Sequence, residues 1–403
     1  MEDPEASVSR WKGHIAALAR DIGARLPTTA GESQALAYCH KVLTACGLPV
    51  QTDTFSSSGS VFKPHLVAAF GILLAFVLYR LLPWTATTVV VLVVIFEIME
   101  LTLHPNPLQF VLPRGSSNNV YAVVEPDTGQ PGAAAGQAGI QDIVIMGHVD
   151  SQRTPIIFSS AGWLRAYRIY SAVAFASFVV LSLLYAGGSI WHWPWVWPVS
   201  AVPAGLAVLL VALCLQAELS PSTLGANDNA TGAGLVLTLA EDLRAQPLTR
   251  SRVWLVCTGC EEALHEGAKA FFSAHRRQMV NPRAVVLEML GCSGPAWLVR
   301  EGIVLPLYSE PGLRALAARV AQENPQLGAY TGVISGGVTE MTDALLAGVP
   351  AITIIGLTPD GEAPYWHRPS DTVDKMDPDV LRRSYLFVRA LLRAMDSGGG
   401  EAG

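Results

Sequence analysis

The chain has 403 residues, which is enough for two or three ordinary domains with a large core. Hydrophobic residues make up 51% of it and charged residues only 15%, whereas charged residues are about a quarter of typical soluble domains. This composition indicates membrane segments in addition to a folded core. A net charge of -6, without any long run of lysine or arginine, argues against a nucleic-acid partner.

The six cysteines are scattered along the chain and form no framework for a small disulfide-rich domain. We expect most of them to be reduced and buried. Cys257 and Cys260 form a C-x-x-C pair, but no second pair or histidine partner follows at the spacing of a structural zinc site. The N-terminus is acidic and lacks an apolar segment, so we expect no cleavable signal peptide.

Residues 1–62 are predicted to be the first part of a soluble domain. Residues 10–47 carry apolar side chains at helical spacing, which predicts two amphipathic helices divided by a turn at residues 27–31. The second helix is expected to end at Gly47, because glycine commonly follows a helix C-terminus. Residues 50–55 alternate between apolar and polar side chains, as a strand does.

Residues 63–104 are predicted to form a first membrane hairpin. Residues 66–82 and 85–96 are strongly apolar and are separated by Pro83 and Trp84. Each stretch is short for a membrane span of about 20 residues, so a tight helical hairpin is favoured over two independent full-thickness spans. A helix pair buried in a soluble core is the alternative.

Residues 169–217 carry the strongest membrane signal, because they contain no Asp, Glu, Lys or Arg at all. The stretch is long enough for a second hairpin of two spans joined by a turn near Gly187 and Gly188. Its tryptophans at positions 191, 193 and 195 suit a membrane interface. The two hairpins together predict an integral, multi-pass membrane protein with four crossings and the lipid bilayer as a partner.

Strand and helix patterns alternate through residues 105–168 and 218–396. Strands are predicted at residues 119–124, 143–146, 253–256, 284–287 and 351–355, and helices up to Arg244, through Phe272, at 311–323 and at 379–395. This alternation predicts an α/β fold with a mostly parallel sheet sandwiched by helices and interrupted by the two transmembrane hairpins. The loop between residues 124 and 143 is expected to be exposed, and residues 397–403 to be a disordered tail.

Glu261 and Glu262 are adjacent acids that follow the apolar strand at residues 253–256. Two neighbouring carboxylates at a strand end repel each other and are poorly solvated, so they need a cation or a shared proton. A metal site meets this need if one carboxylate binds the ion and the other takes a proton from the ion's water. The alternative is a solvated pair at a helix N-terminus, where the helix dipole favours acids.

Four further residues of metal-ligand type stand at strand ends or in loops. They are His148 in G-H-V-D-S, Asp228 in the Gly-rich loop N-D-N-A-T-G, Glu288 after an apolar strand, and His367 in Y-W-H-R-P-S-D. An open α/β sheet builds its site from such positions, at the carboxyl ends of its strands. Three carboxylates and two imidazoles suit zinc, and two zinc ions that share one carboxylate are consistent with this set.

The order of these motifs resembles that of the zinc exopeptidases of metallopeptidase family twenty-eight, which includes aminopeptidases and glutamate carboxypeptidases. The motifs are H-x-D, N-D-N-A-x-G, E-E, a strand-end acid and H-x-x-x-D, and the resemblance runs from about residue 10 to residue 395 outside the two hairpins. It implies two zinc ions, one held by His148 and Glu288, the other by Glu262 and His367, with Asp228 bridging them. It also implies that Glu261 is the general base.

The resemblance further implies supporting roles for two acids. Asp150 would orient His148, and Asp371 would support the loop of His367. Glu288 departs from the pattern, because most soluble members carry Asp there, while Glu resembles the vacuolar and endoplasmic-reticulum membrane proteins of the family. We expect the longer side chain to reach the metal, with an altered spacing or one weak site as the open alternatives.

Residues that would bind the amino or carboxylate end of a substrate have no clear match. Thr342-Asp343 falls near a Ser/Thr-Asp position of the family, and a helix N-cap is the alternative role for this pair. Tyr365 is a candidate donor to a tetrahedral oxyanion, with simple packing beside His367 as the alternative.

The leading prediction is a membrane-anchored zinc metallopeptidase that hydrolyses peptide bonds with a metal-activated water and Glu261 as general base. Aminopeptidase is the first choice, because it is the commonest activity of the family that the chain resembles. The alternatives are a glutaminyl-cyclase-like acyl transferase with a single zinc, and an inactive membrane scaffold. The presence of both His148 and His367 favours the hydrolase with two zinc ions. Nothing in the sequence indicates an oligomeric state.

Four crossings return the chain to its starting side, so the N-terminal helices and the site residues share one compartment. Basic residues favour the cytoplasm as that compartment, since Lys63, Arg114, Arg165 and Arg168 flank the spans there and Arg80 lies on the other side. The second hairpin lies between His148 and Asp228. This position predicts a site that opens toward the lipid interface and accepts hydrophobic or membrane-delivered peptides, with simple anchoring as the alternative.

Overall fold

A computed structural model describes residues 3–104, 106–127 and 140–398, and the chain divides into two compact units. Residues 1–59, 115–152 and 222–403 form the first, which we call the sheet unit. Residues 60–114 and 153–221 form the second, which we call the helical unit. The helical unit is therefore made of two insertions in the chain of the sheet unit. The predicted tail, apart from Ser397 and Gly398, and most of the loop between residues 124 and 143 lie outside the described residues.

Within the described ranges, the sheet unit contains a single sheet of nine strands. The strands are β1 (Val50–Ser57), β2 (Gly115–Val124), β3 (Gln141–His148), β4 (Ser251–Thr258), β5 (Arg283–Glu288), β6 (Ala296–Glu301), β7 (Leu307–Tyr308), β8 (Tyr330–Val333) and β9 (Ala351–Ile355). Its helices are α1 (Pro4–Ala16), α2 (Ala30–Ala45), α9 (Thr231–Ala245), α10 (Glu266–His275), α11 (Pro311–Glu323), α12 (Met341–Leu346) and α13 (Pro378–Asp396). All the strands and helices predicted for this unit are present, whereas β6, β7, β8 and α12 were not predicted.

The sheet is mixed, so the prediction of a mostly parallel sheet is right for its centre and for the β6–β8 pair, but not for the other pairs. The strand order is β1-β2-β4-β3-β5-β9-β6-β7, with β8 paired to β6. Strands β4, β3, β5 and β9 pair in parallel, whereas β1–β2, β2–β4, β9–β6 and β6–β7 pair antiparallel. The parallel centre matters for function because the carboxyl ends of its strands all lie at one edge.

Two hydrophobic layers cover the faces of this sheet, because strand side chains alternate between its faces. On β3, Ile143 and Ile145 belong to the core cluster that includes residues of α1, α2, α9, α11 and α13. Their neighbours Val144 and Met146 belong to the opposite cluster, with residues of α10 and α12. Because the central strands are buried on both faces, their sequences are continuous apolar runs, which is why they were predictable.

Arg25 is a fully buried arginine that ties three segments of the sheet unit together. Its guanidinium donates to the backbone carbonyl oxygens of Leu18, Gly23, Val149, Leu224 and Gly225 at 2.5–2.9 Å. Burial lowers its pKa to about 10, against the opposing attraction of nearby Asp371, Asp150 and Asp228. The segment after β3 and the segment before α9 are therefore fixed to each other through one side chain.

The helical unit is described by α3 (Phe62–Leu78), α4 (Pro83–Leu101), α5 (Leu108–Val111), α6 (Ala161–Trp191), α7 (Val196–Val199) and α8 (Ala201–Leu219). Three stretches of the described chain, Pro83–Leu101, Ala161–Trp191 and Val196–Leu219, are long and apolar enough to cross a membrane. The helix at the first predicted stretch, residues 66–82, runs from Phe62 to Leu78 and is apolar but shorter, with 17 residues. The structure thus supports three candidate spans, and α3 and α4 lie in the helical unit rather than in the core of the sheet unit.

Large apolar side chains of the helical unit face outward. Val77 on α3 and Val202 on α8 are each 67% exposed, and Leu183 on α6 is 69% exposed. Leaving such side chains in water costs about 1.5–3 kcal/mol each relative to burial, whereas lipid accepts them. These surfaces indicate association with a membrane.

Candidate metal centre

The predicted site residues converge at the carboxyl edge of the parallel strands. His148 ends β3 and Glu288 ends β5, while Glu261 and Glu262 follow β4. Asp228 lies in the turn Ala226–Ala230 that opens α9, and His367 lies in the loop after β9. Glu262 is only 7% exposed, and the Glu261 side chain is 11% exposed, so the alternative of a solvated Glu-Glu pair is wrong.

His148, Asp228 and Glu288 form a first group whose ligand atoms all lie within 4.8 Å of one another. His148 Nε2 is 3.5 Å from Asp228 Oδ1 and 3.5 Å from Glu288 Oε2. All three side chains are buried. The longer side chain of Glu288 therefore reaches the group, as expected from the sequence.

Asp228, Glu262 and His367 form a second group of the same kind. His367 Nε2 is 3.2 Å from Asp228 Oδ2 and 3.1 Å from Glu262 Oε2. Asp228 thus offers Oδ1 to the first group and Oδ2 to the second. This is the arrangement that a bridging carboxylate between two metal ions requires.

The donor set and its electrostatics fit zinc. Carboxylate oxygens and imidazole nitrogens are ordinary zinc ligands. Burial raises the pKa of Glu262 to about 7 and that of Glu288 to about 8, because a buried carboxylate loses its hydration. Glu262 Oε1 is buried and has no hydrogen-bond partner among the described residues. A bound cation would stabilise these carboxylates in their ionised form.

Asp150 supports the Glu-Glu pair, in addition to the predicted contact with His148. Its carboxylate accepts the backbone N–H groups of Glu261 at 3.1 Å and Glu262 at 2.9 Å. The closest contact of His148 Nδ1 to this residue is the backbone carbonyl oxygen of Asp150, at 3.1 Å, while a carboxylate oxygen lies at 3.5 Å. Asp150 therefore links the end of β3 to the segment that follows β4.

Asp371 supports the segment of Asp228, whereas the sequence predicted a role in the loop of His367. Its carboxylate accepts the backbone N–H groups of Asn227 at 2.7 Å and Asp228 at 3.0 Å. Burial raises the pKa of Asp371 to about 7. Because Asp371 lies four residues after His367, it joins the loop of one ligand to the segment of another.

Two amide side chains near the ligands were not predicted. Gln152 Nε2 donates to Glu262 Oε2 at 3.0 Å, and Asn229 Nδ2 donates to Glu288 Oε2 at 3.1 Å. Asn229 belongs to the N-D-N motif, so its position beside a candidate ligand was a usable signal. Gln152 follows the H-x-D motif without any spacing rule that marks it.

Glu261 lies between the first metal group and a buried histidine that was not predicted. Its Oε2 is 3.7 Å from His148 Nε2, and its Oε1 is 3.2 Å from His265 Nε2. His265 Nδ1 is 2.6 Å from Asp343 Oδ2. Although burial opposes ionisation of Glu261, the adjacent His148 and His265 lower its pKa to about 2.

Asp343 and Tyr365 were candidates for substrate contacts. Asp343 lies within the first turn of α12 and its carboxylate contacts His265, so the alternative role as an N-cap is wrong. Tyr365 is partly buried and lies in the same loop as Trp366, whose ring is 4.8 Å from that of His367. Oxyanion donation by Tyr365 stays a prediction.

The chain was compared with protein families and with curated protein sequences. Residues 207–392 match the model of peptidase family M28. No curated protein sequence matches the chain. The resemblance to metallopeptidase family twenty-eight is confirmed by this match, which includes five of the six residues of the Glu-Glu pair and metal groups and leaves out His148.

Solved structures share the fold at low identity. A leucine aminopeptidase precursor from Bacteroides thetaiotaomicron is 14% identical, with a TM-score of 0.56 and coverage of 97% of each chain. A Zn-dependent exopeptidase from Parabacteroides distasonis is 12% identical, with a TM-score of 0.53 and coverage of 98% of this chain and 97% of that one. A glutaminyl cyclase from Bacteroides thetaiotaomicron is 14% identical, with a TM-score of 0.56 and coverage of 97% of each chain. These neighbours show the fold, and the family match supports a zinc metallopeptidase.

Substituting Asp150→Asn should weaken both zinc binding and peptide hydrolysis by about 10- to 100-fold, the usual cost of losing a residue that orients metal ligands. The amide would offer one acceptor oxygen where two backbone N–H groups now need one each. Zinc affinity by chelator competition and hydrolysis of a fluorogenic peptide measure the two effects. Asp374→Asn, at a side chain that is 69% exposed, is the control. Wild-type zinc affinity in the Asp150 variant would contradict the supporting role.

Proposed function

We propose that the chain is a membrane-anchored zinc aminopeptidase in which Glu261 is the general base. The observation that carries this proposal is the pair of adjacent ligand groups that share Asp228. The family match supports a peptidase, and neighbours such as the leucine aminopeptidase precursor motivate the choice of aminopeptidase. His148 and Glu288 would hold one zinc, Glu262 and His367 the other, and Asp228 would bridge the two.

The residues divide the reaction between them. Zinc at these groups would polarise the substrate carbonyl and lower the pKa of the attacking water. Glu261 takes the proton from that water and passes it to the leaving amine. Its Oε2 lies at the first metal group, 3.7 Å from His148 Nε2, which suits this transfer. Asp150 holds the backbone of Glu261 and Glu262 and so keeps base and ligand side by side.

A glutaminyl-cyclase-like acyl transferase is the second candidate, because glutaminyl cyclases are among the structures with this fold. Zinc stoichiometry of the purified chain distinguishes the candidates. Two ions per chain support the peptidase, one ion supports the cyclase, and none supports an inactive scaffold. The presence of both histidines, His148 and His367, favours two ions.

Substituting Glu261→Gln should lower turnover by about 100- to 10,000-fold while zinc content stays near that of the wild type. The change removes the base and leaves every proposed ligand in place. His148→Ala and Asp228→Ala should instead lower zinc content, measured by mass spectrometry. Glu323→Gln, at a side chain that is 63% exposed on α11, is the control for purification and folding. Equal loss of zinc in the Glu261 variant would refute the division between base and ligands.

We propose four membrane crossings, with the sheet unit on the cytoplasmic side. The apolar helices support membrane association, and the basic residues beside the spans support this orientation. The chain should stay with membranes after an alkaline carbonate wash. A reporter fused to its C-terminus should be active inside the cell. Release by carbonate would contradict the anchoring, and a reporter active only outside the cell would contradict the orientation.

We propose that the substrates are hydrophobic or membrane-delivered peptides. The argument is one of chain order, because the apolar residues 169–217 lie in the sequence between His148 and Asp228, two of the proposed ligands.

An acylated or strongly apolar peptide should therefore be cleaved more efficiently than a short polar one when the enzyme is in liposomes. In detergent, the difference should shrink, because both peptides then reach the site from solution. Values of kcat/KM for both peptides in both settings test this. Equal efficiency in liposomes would leave the helices as anchors only.

A further inference from the structure

A buried acid–histidine pair lies behind Glu261, on the side away from the first metal group. His265 Nδ1 is 2.6 Å from Asp343 Oδ2, and His265 Nε2 is 3.2 Å from Glu261 Oε1. His265 is 5% exposed and Asp343 is 4% exposed. The contacts therefore form one continuous line from Asp343 through His265 to the proposed base.

We propose that His265 and Asp343 are positioning residues that hold the carboxylate of Glu261 by Oε1 and leave Oε2 free for the proton. This inference rests on the proposed function, in which Glu261 is the general base. Neither residue touches the metal groups, and both act through Glu261.

The hydrogens of this line can be assigned from what each group accepts. The carboxylates of Asp343 and Glu261 are acceptors when ionised, so each needs a hydrogen from the imidazole between them. His265 meets both needs only when Nδ1 and Nε2 each carry a hydrogen, that is, as an imidazolium. Asp343 thus supplies the negative charge that keeps a buried imidazolium in place beside the base.

The carboxylate of Glu261 must be restrained, because the neighbouring residue Glu262 faces the second metal group. A carboxylate with two unrestrained oxygens this close to two cations would bind them as a further ligand, and its basicity would be lost. His265 occupies Oε1, so that only Oε2, 3.7 Å from His148 Nε2, faces the first group. Catalytic groups must be held within about 0.5 Å of their working position to be effective.

The carboxylate of Asp343 contacts His265 and does not cap the N-terminus of its own helix, α12. Its Oδ1 has no hydrogen-bond partner among the described residues, and α12 has no side-chain cap. The adjacent Thr342 donates through Oγ1 to Glu301 at 2.6 Å, and Thr339 donates to the same carboxylate. These bonds fix the start of α12 and with it the direction of Asp343 toward His265.

The test measures kcat, KM and zinc content in His265→Phe, His265→Gln, Asp343→Asn and the double variant His265→Phe/Asp343→Asn. We expect kcat to fall about 10- to 100-fold in His265→Phe, with KM within about twofold and zinc content unchanged. His265→Gln keeps an N–H donor and should recover part of the loss. As a single substitution, Asp343→Asn should lower kcat. In the His265→Phe background it should have no added effect, because Asp343 acts through His265.

His275 offers a matched control. It is a second buried histidine whose Nε2 is 2.6 Å from the carboxylate of Asp53, away from the metal groups. It packs among Tyr121, Trp254 and Phe271, so phenylalanine fits its surroundings. His275→Phe removes the same type of contact and should leave kcat unchanged.

Unchanged kcat in His265→Phe, a change confined to KM, or full additivity of the two substitutions would overturn the proposal. If His265→Phe lowers Tm sharply, the test rests on kcat of His265→Gln and Asp343→Asn instead. Wild-type kcat in both of these variants would then overturn the proposal. An active Glu261→Gln enzyme would mean that the assignment of the base itself is wrong. An inactive Glu261→Gln enzyme beside fully active His265 variants would reject the positioning role alone.

Discussion

The concentration of buried acids at one edge of the sheet is the constraint on which the rest of the structure depends. Burial raises the pKa of Glu262 to about 7, that of Glu288 to about 8 and that of Asp371 to about 7. Carboxylates in this situation require cations or N–H donors beside them to favour the ionised form. The positions of the histidines, the backbone N–H groups and the proposed zinc ions all follow from that requirement.

The structure meets part of this requirement with backbone groups. Asp150 takes two N–H groups from the Glu-Glu segment, and Asp371 takes two from the segment of Asp228. Arg25 then binds carbonyl oxygens on both sides, at Val149 and Gly225. The ligand segments are thus fixed by bonds that do not use the ligand side chains, and these stay available for metal.

His148, Glu262 and Glu288 were predictable as candidate ligands because each lies at the end of, or just after, a strand that is buried on both faces and therefore has a continuous apolar sequence. A polar residue at the end of such a run, as with His148 or Glu288, lies at a sheet edge for geometric reasons. Asp228 lies in a turn and His367 in a loop, and both were predictable from their sequence motifs instead. His265 gave no such signal, because its proposed role depends on a contact with Asp343, 78 residues further along the chain. The short strands β6 to β8 carry no clear period, and pairing direction at the sheet edges is set by tertiary contacts, so the antiparallel edges were missed.

The inserted helices leave the sheet unit complete, because its own backbone closes across both insertions. Ser57 pairs with Gly115 in the β1–β2 ladder, and the Thr223 N–H donates to the Gln152 carbonyl oxygen at 2.9 Å. The strands and loops that carry the metal groups are therefore continuous in space although the chain is interrupted twice. The second closure is the more consequential one, since the side chain of Gln152 also donates to Glu262. The residue at which the chain leaves the sheet unit is therefore hydrogen-bonded through its side chain to both the backbone carbonyl oxygen and the carboxylate of a proposed metal ligand, at 3.2 and 3.0 Å.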